Sequence, residues 1–143
     1  MQIKIKRLDK TLPLPKYHTD GAAAFDFYAR ESGVIEPKTI KQIPTNLIIA
    51  TPPGFMMLIA SRSSLGVKKG LMLSNCVGIL DSDYCGPKDE ILLSLHNFTD
   101  KPITVERGER LAQGIIIKIE QADWNEVEEM DMPTRGGFGS TGK

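Results

Sequence analysis

The sequence predicts an all-β domain, a sandwich or barrel, and three observations carry that prediction. Apolar residues come in short runs of strand length rather than at helical spacing. Turn-forming clusters separate the runs: TDG at 19–21, TPPG at 51–54, DSDYCGP at 81–87 and TDKP at 99–102. No window carries the apolar stripe of a long amphipathic helix.

The strand candidates follow in order. QIKIKRL (2–8) alternates, with Ile3 and Ile5 on one face. FDFYA (25–29), IKQIPTNLIIA (40–50), GFMMLIAS (54–61) and GLMLSNCVGIL (70–80) come next. EILLSLHNF (90–98), PITVERG (102–108) and RLAQGIIIKIE (110–120) complete the set. One short helix is expected in SRSSLGVKKG (61–70), capped by Ser61 or Ser63 and ended by Gly70. Composition changes after Trp124, where the chain turns acidic and then glycine-rich. A core over 1–127 and a mobile tail over 128–143 are expected.

The chain of 143 residues is the length of one domain, and 41% apolar with 25% charged residues is a globular composition. The formal charge is zero, from 18 basic and 18 acidic residues. That excludes bulk electrostatic binding to long nucleic acid, which needs a basic excess. It leaves room for a small phosphorylated ligand. Cys76 and Cys85 form no CxxC, and His18 and His96 add no ligand spacing, so zinc is not expected and reduced thiols are. The start, MQIKIKRLDK, has no apolar leader, and the apolar runs are far shorter than a membrane span. A cytoplasmic protein with no membrane partner is the expectation.

Three blocks carry chemistry. In SRSSLG (61–66), an arginine, two hydroxyls and a helix start suit phosphate oxygens; a capped helix with a surface arginine is the plain alternative. In NCVGILDSDYCG (75–86), Asp81 follows an apolar strand, where a carboxylate can hold a water as general base. Asp81 and Asp83 in a simple hairpin turn, with Tyr84 as packing, is the alternative. In ERGERLAQG (106–114), Arg107, Arg110 and Gln113 gather two cations and an amide; surface ion pairs with Glu106 and Glu109 are the alternative. RGGFGSTG (135–142) has the composition of a phosphate loop without the GxxxxGK[ST] order. Spacing alone reaches a phosphate binder and stops.

The order of the blocks goes further. AAAFDFYA, SRSSLG, NCVGILDSDYCG, RGERLAQ and RGGFGSTG resemble, in sequence, the five motifs of the trimeric dUTP diphosphatases, from about Gly21 to Gly142. The resemblance implies a β jelly roll, a homotrimer with active sites shared between subunits, and magnesium-dependent hydrolysis of dUTP to dUMP and diphosphate. That reaction keeps uracil out of DNA and supplies dUMP for thymidylate synthesis.

The resemblance also implies roles. Asp81 would be the catalytic base for the water that attacks the α-phosphorus. Arg62, Ser63, Ser64 and Gln113 would hold phosphates. Asp26 would meet Mg2+ through water, with no direct protein ligand, since magnesium keeps several waters and takes phosphate oxygens. Asn75 to Tyr84 would form the uracil hairpin, with Asn75 and the backbone around Gly78, Ile79 and Leu80 matching the base edge. Cytosine would leave buried groups unpaired, at about 1–3 kcal/mol each. Tyr84 would lie under the deoxyribose and reject a 2′-hydroxyl. Phe138 would stack on uracil, with Arg135, Gly139 and Ser140 against the phosphates in a lid. Two departures stand out: Gly86–Glu90 is longer than the commonest family form, and Arg135 precedes its glycine pair directly where many members have two more residues. The rivals are a dCTP deaminase, with or without diphosphatase activity, and a non-enzymatic nucleotide-binding jelly roll.

Overall fold

The turn clusters do cut the chain into short strands. The computed structural model describes residues 1–137 and contains eleven strands among them. These are β1 (Lys4–Arg7), β2 (Phe25–Tyr28), β3 (Gly33–Ile35), β4 (Ile40–Pro44), β5 (Leu47–Ala50) and β6 (Phe55–Ser61). After a single π-helical segment, Leu65–Lys69, come β7 (Leu71–Leu73), β8 (Val77–Leu80), β9 (Leu92–Asn97), β10 (Ile103–Val105) and β11 (Arg110–Lys118).

The strands order as β2-β11-β6-β8, β4-β9-β7, β1-β5 and β10-β3. All pairs are antiparallel, and no two consecutive strands pair among the described residues. Such crossing connections are those of a jelly roll. One apolar core joins the sheets, with Phe27, Met57, Leu71, Leu95 and Leu111 fully enclosed. Each such side chain contributes roughly 1.5–3 kcal/mol over its exposed state.

Several local expectations resolve differently. The 40–50 run splits at Thr45–Asn46, where Asn46 takes φ 74° and the chain leaves one sheet for another. The 70–80 run splits at Ser74–Cys76, with Cys76 at φ 62°. β3 is additional; of its three residues only Ile35 is buried, too little for an alternating pattern. The helix begins after Ser64, not at Ser61, because Ser61 ends β6 and its Oγ accepts from the Leu73 N–H at 3.2 Å. Gly70 ends it as expected, at φ 67°. Ile3, just ahead of β1, packs at the core margin, while Ile5 on β1 is exposed. Both cysteines are free.

β11 is the last strand among the described residues, and the Ile119 N–H closes on Gly54 O at 2.9 Å. Residues 120–137 carry no helix or strand and are exposed, Trp124 at 93%. Among the described residues, no helix is long and apolar enough to cross a membrane.

Candidate active site

The predicted site residues fall into two groups. The first forms where β2, β6 and β11 run side by side. Gln113 on β11 pairs with Asp26 on β2 and with Ala60 on β6, so all three share a face. Arg110 and Gln113 are three residues apart, and an unbroken strand would send them to opposite faces. A register shift between Arg110 and Ala112 prevents this, because it pairs Arg110 with Tyr28 and skips one residue. The bulge therefore brings Arg110 to the face of Asp26.

Asp26 is only 7% exposed and lies between two arginines and a histidine. Arg62 Nε lies 3.0 Å from Oδ1, Arg110 Nη1 donates to Oδ2 at 3.1 Å, and His18 Nε2 lies 3.2 Å from Oδ2. A carboxylate offers about four lone-pair sites. Of the contacts to Asp26, Arg110 makes a hydrogen bond and Arg62 lies at ion-pair distance. A buried carboxylate held this way fixes both guanidinium groups relative to β2.

These groups border a pocket of about 790 Å³, lined also by Lys16, Lys68, Lys69 and the second serine of the RSS block, Ser64. Lys69 is paired, to Glu109 at 2.7 Å. Lys16 and Lys68 have no ion-pair partner among the described residues. The pocket thus has cations in excess of acids, which suits a polyanion. Ser64 makes no capping bond, so its hydroxyl is not committed to the helix; Ser63 is exposed beside it. Gln113 Nε2 donates to Ser61 O at a long 3.4 Å.

The second group surrounds β8. Asn75, Gly78, Ile79 and Leu80 line a hollow of about 120 Å³ against Ile59. A Cβ at Gly78 would lie 3.2 Å from Ile59 Cβ, so this glycine lets β8 sit close on β6. Across the strand, Ile79, Leu80, Asp81 and Tyr84 line a second hollow, of about 290 Å³. Ile79 is 62% exposed, an open apolar surface beside polar backbone, of the kind a planar base can cover. Asp81 itself is exposed.

The structure does not bring the two groups together within one chain. β8 runs along β6 with Leu80 opposite Met57 and Val77 opposite Ala60. Asp81 lies just beyond one end of that pairing and Arg62 just beyond the other, a separation of roughly 20 Å at ~3.3 Å per residue. A general base must come within hydrogen-bond reach of its proton. Asp81 therefore cannot serve a phosphate held by Arg62 of its own chain.

The family model for dUTPase matches residues 10–142. The chain belongs to the dUTPase family. It is 44% identical to the deoxyuridine 5'-triphosphate nucleotidohydrolase of Corynebacterium glutamicum, over 99% of this chain and 95% of that one. The enzyme of that name from Dictyoglomus turgidum is 40% identical, covering 99% of each. Among solved structures, the dUTPase of Streptococcus mutans superposes with a TM-score of 0.77 at 31% identity, over 84% of this chain and 98% of that one.

Set beside the family reading, Arg62, Ser64, Gln113 and Asp26 share one corner, and Asn75, Gly78, Ile79, Leu80, Asp81 and Tyr84 surround one strand. Arg135 is exposed, and Phe138, Gly139 and Ser140 lie outside the described residues. Sequence reasoning left out His18, Lys16 and Lys68. His18 and Lys16 stand in KYHTDG, ahead of the first block, where nothing in their spacing marks them. No cluster of three or more His, Cys, Asp or Glu that could hold a metal occurs among the described residues.

Proposed function

We propose that the protein hydrolyses dUTP to dUMP and diphosphate, in sites formed between copies of a homotrimer. The observation that carries this reading is that the family match spans both separated groups, Arg62 with its basic pocket and Asp81 with its hairpin. The ~20 Å gap along β6 supports assembly from more than one chain.

In this reading, uracil lies against the hairpin of one copy, where Asn75 and the backbone of Gly78–Leu80 meet its polar edge. Tyr84 underlies the sugar. The triphosphate reaches into the basic pocket of a neighbour, where Arg62, Ser63, Ser64 and Gln113 hold it. Lys16 and Lys68 add charge at the outer phosphates. Asp81 accepts a proton from a water as that water attacks the α-phosphorus. The bond to the α–β bridging oxygen breaks, and diphosphate leaves in line. Asp26 keeps Arg62 and Arg110 in place.

Magnesium, when bound, neutralises phosphate charge and aligns the oxygens. Asp26, a buried carboxylate beside Arg62 and Arg110, would meet such an ion through water held by the nucleotide. The tail beyond residue 128 is proposed to close over the nucleotide, with Phe138 on the base and Arg135, Gly139 and Ser140 near the phosphates. Limiting uracil in DNA and supplying dUMP, in the cytoplasm, would be the cellular role.

Purified protein with Mg2+ should convert dUTP to dUMP and diphosphate, spare dCTP, dTTP and UTP, and scatter light as three chains. No turnover of dUTP, or ammonia release from dCTP instead, would refute the reading.

A further inference from the structure

The loop joining β8 to β9, residues 81–91, carries both Asp81 and Tyr84. Most of its hydrogen bonds stay inside it. The Tyr84 N–H donates to Asp81 O at 3.3 Å, Cys85 N–H to Asp83 O at 2.9 Å, and Asp89 N–H to Gly86 O at 3.1 Å. The Gly86 N–H donates to Asp89 Oδ2 at 2.6 Å, and the Tyr84 hydroxyl to Glu90 O at 3.3 Å. The loop is tied to the rest of the protein at its return end, where the Ile91 N–H donates to Leu47 O at 2.9 Å, Ile91 O accepts from Thr45, and the Glu90 carboxylate is the side chain that reaches out of the loop.

That group sits in a rigid socket. Arg30, at the end of β2, donates from Nε to Oε1 at 2.9 Å and from Nη2 to Oε2 at 3.0 Å. The Asn46 N–H donates to Oε1 at 2.7 Å. Asn46 is 1% exposed, and its side chain is tied to the Asp9 backbone, donating to Asp9 O at 2.8 Å and accepting the Asp9 N–H at 2.5 Å. The Arg30 N–H is bonded to Pro44 O at 2.8 Å. The fork is bidentate and the Glu90 side chain only 12% exposed, so direction as well as charge is fixed. The bond from Glu90 raises the Arg30 pKa. Ion pairs this sheltered contribute little net stability but hold geometry well.

We propose that Glu90 is a positioning residue for sugar selection. Its carboxylate, gripped by Arg30 and Asn46 beside the backbone anchor of Ile91, sets where Glu90 sits on the return arm, and its carbonyl accepts from the Tyr84 hydroxyl. The ring is thereby held where the 2′ carbon of the substrate lies. This inference rests on the proposed dUTP hydrolysis and on Tyr84 as the sugar platform. It assigns a purpose to the Gly86–Glu90 stretch: the turn closed by Asp89 delivers Glu90 to its socket.

The test compares kcat and KM for dUTP and UTP in the wild type, Glu90→Gln, Tyr84→Phe and the double variant. Glu90→Gln keeps the size of the side chain and an acceptor for Asn46 but loses the charged fork. Its KM for dUTP should rise about tenfold, with kcat within about twofold, as one positioning contact is lost. The dUTP-to-UTP preference should fall about tenfold, because the two substrates differ only where Tyr84 stands. Tyr84→Phe removes only the bond to the Glu90 carbonyl and should lower the preference in part. The double variant should be no worse than Glu90→Gln alone, since both changes break one linkage. Equal losses on both substrates, a preserved preference, or additive effects in the double variant would overturn the proposal. A folded trimer by light scattering, and wild-type activity on dUTP, keep these outcomes separate from misfolding and from failure of the functional reading.

Discussion

The corner around Asp26 and the hairpin around β8, read as phosphate and base sites, would solve recognition in opposite ways. In that corner the charged groups already lie together: Asp26 sits among Arg62, Arg110 and His18, and strand pairing fixes Asp26 and Arg110. The hairpin shows open apolar surface, with Ile79 at 62% exposure and Tyr84 at 41%. Phosphates are alike in every nucleotide, so their site needs charge in fixed places. A base and its sugar are distinguished by shape and by unpaired groups, so that surface must stay open until ligand covers it. On the proposed reading, the contrast teaches that one chain holds two half-sites of different character, each to be completed by another copy.

The largest break comes from the reacting group. Asp81→Asn should lower kcat by about 10³-fold or more while dUTP binding persists, measured by steady-state kinetics and calorimetry. Retained turnover would remove Asp81 as the base. Next comes the loss of a charged phosphate contact. Arg62→Ala should reduce kcat/KM by roughly 10–100-fold, the value of a charge-assisted hydrogen bond, with sugar preference kept. Deleting residues 134–143 should leave a folded trimer that turns over much more slowly; unchanged kcat would remove the tail from the mechanism.

Asp26→Asn sharpens the comparison, because it leaves Arg62 and Arg110 without their shared anion. KM for dUTP should rise about tenfold, with base preference untouched. The smallest effect lies away from both half-sites. Thr11, with Arg107, holds the Asp9 carboxyl well below the usual aspartate range. A lowered folded-state pKa stabilises above the ordinary value of 3.8 and loses its contribution as pH falls below it. Asp9→Asn should therefore flatten the acid limb of a melting-temperature profile and leave activity at neutral pH alone.

Much of this was legible in the sequence, for physical reasons. Turn residues and alternation locate most strands, and Gly70 marks the end of the helical turn because only a left-handed residue closes it. What stayed hidden depends on long-range pairing. The bulge that carries Arg110 to the Asp26 face leaves no mark in RGERLAQ, since parity matters only once β2 is alongside. The break at Asn46 is set by contacts with Asp9 and Glu90, 37 and 44 residues away. The role of Glu90 was hidden for the same reason: its partner Arg30 lies 60 residues upstream. The separation of Asp81 from Arg62 is a property of register along β6, and no motif order expresses it.

That separation makes the central claim directly testable. Chains carrying Asp81→Asn and chains carrying Arg62→Ala, each strongly impaired as homotrimers, can be co-expressed and the whole randomly mixed pool of trimers purified together. Sites shared between copies should recover activity, about one quarter of the wild type for equal random mixing, because one site in four then receives both intact groups. Activity no greater than the sum of the two parents would contradict shared sites and the account built on them.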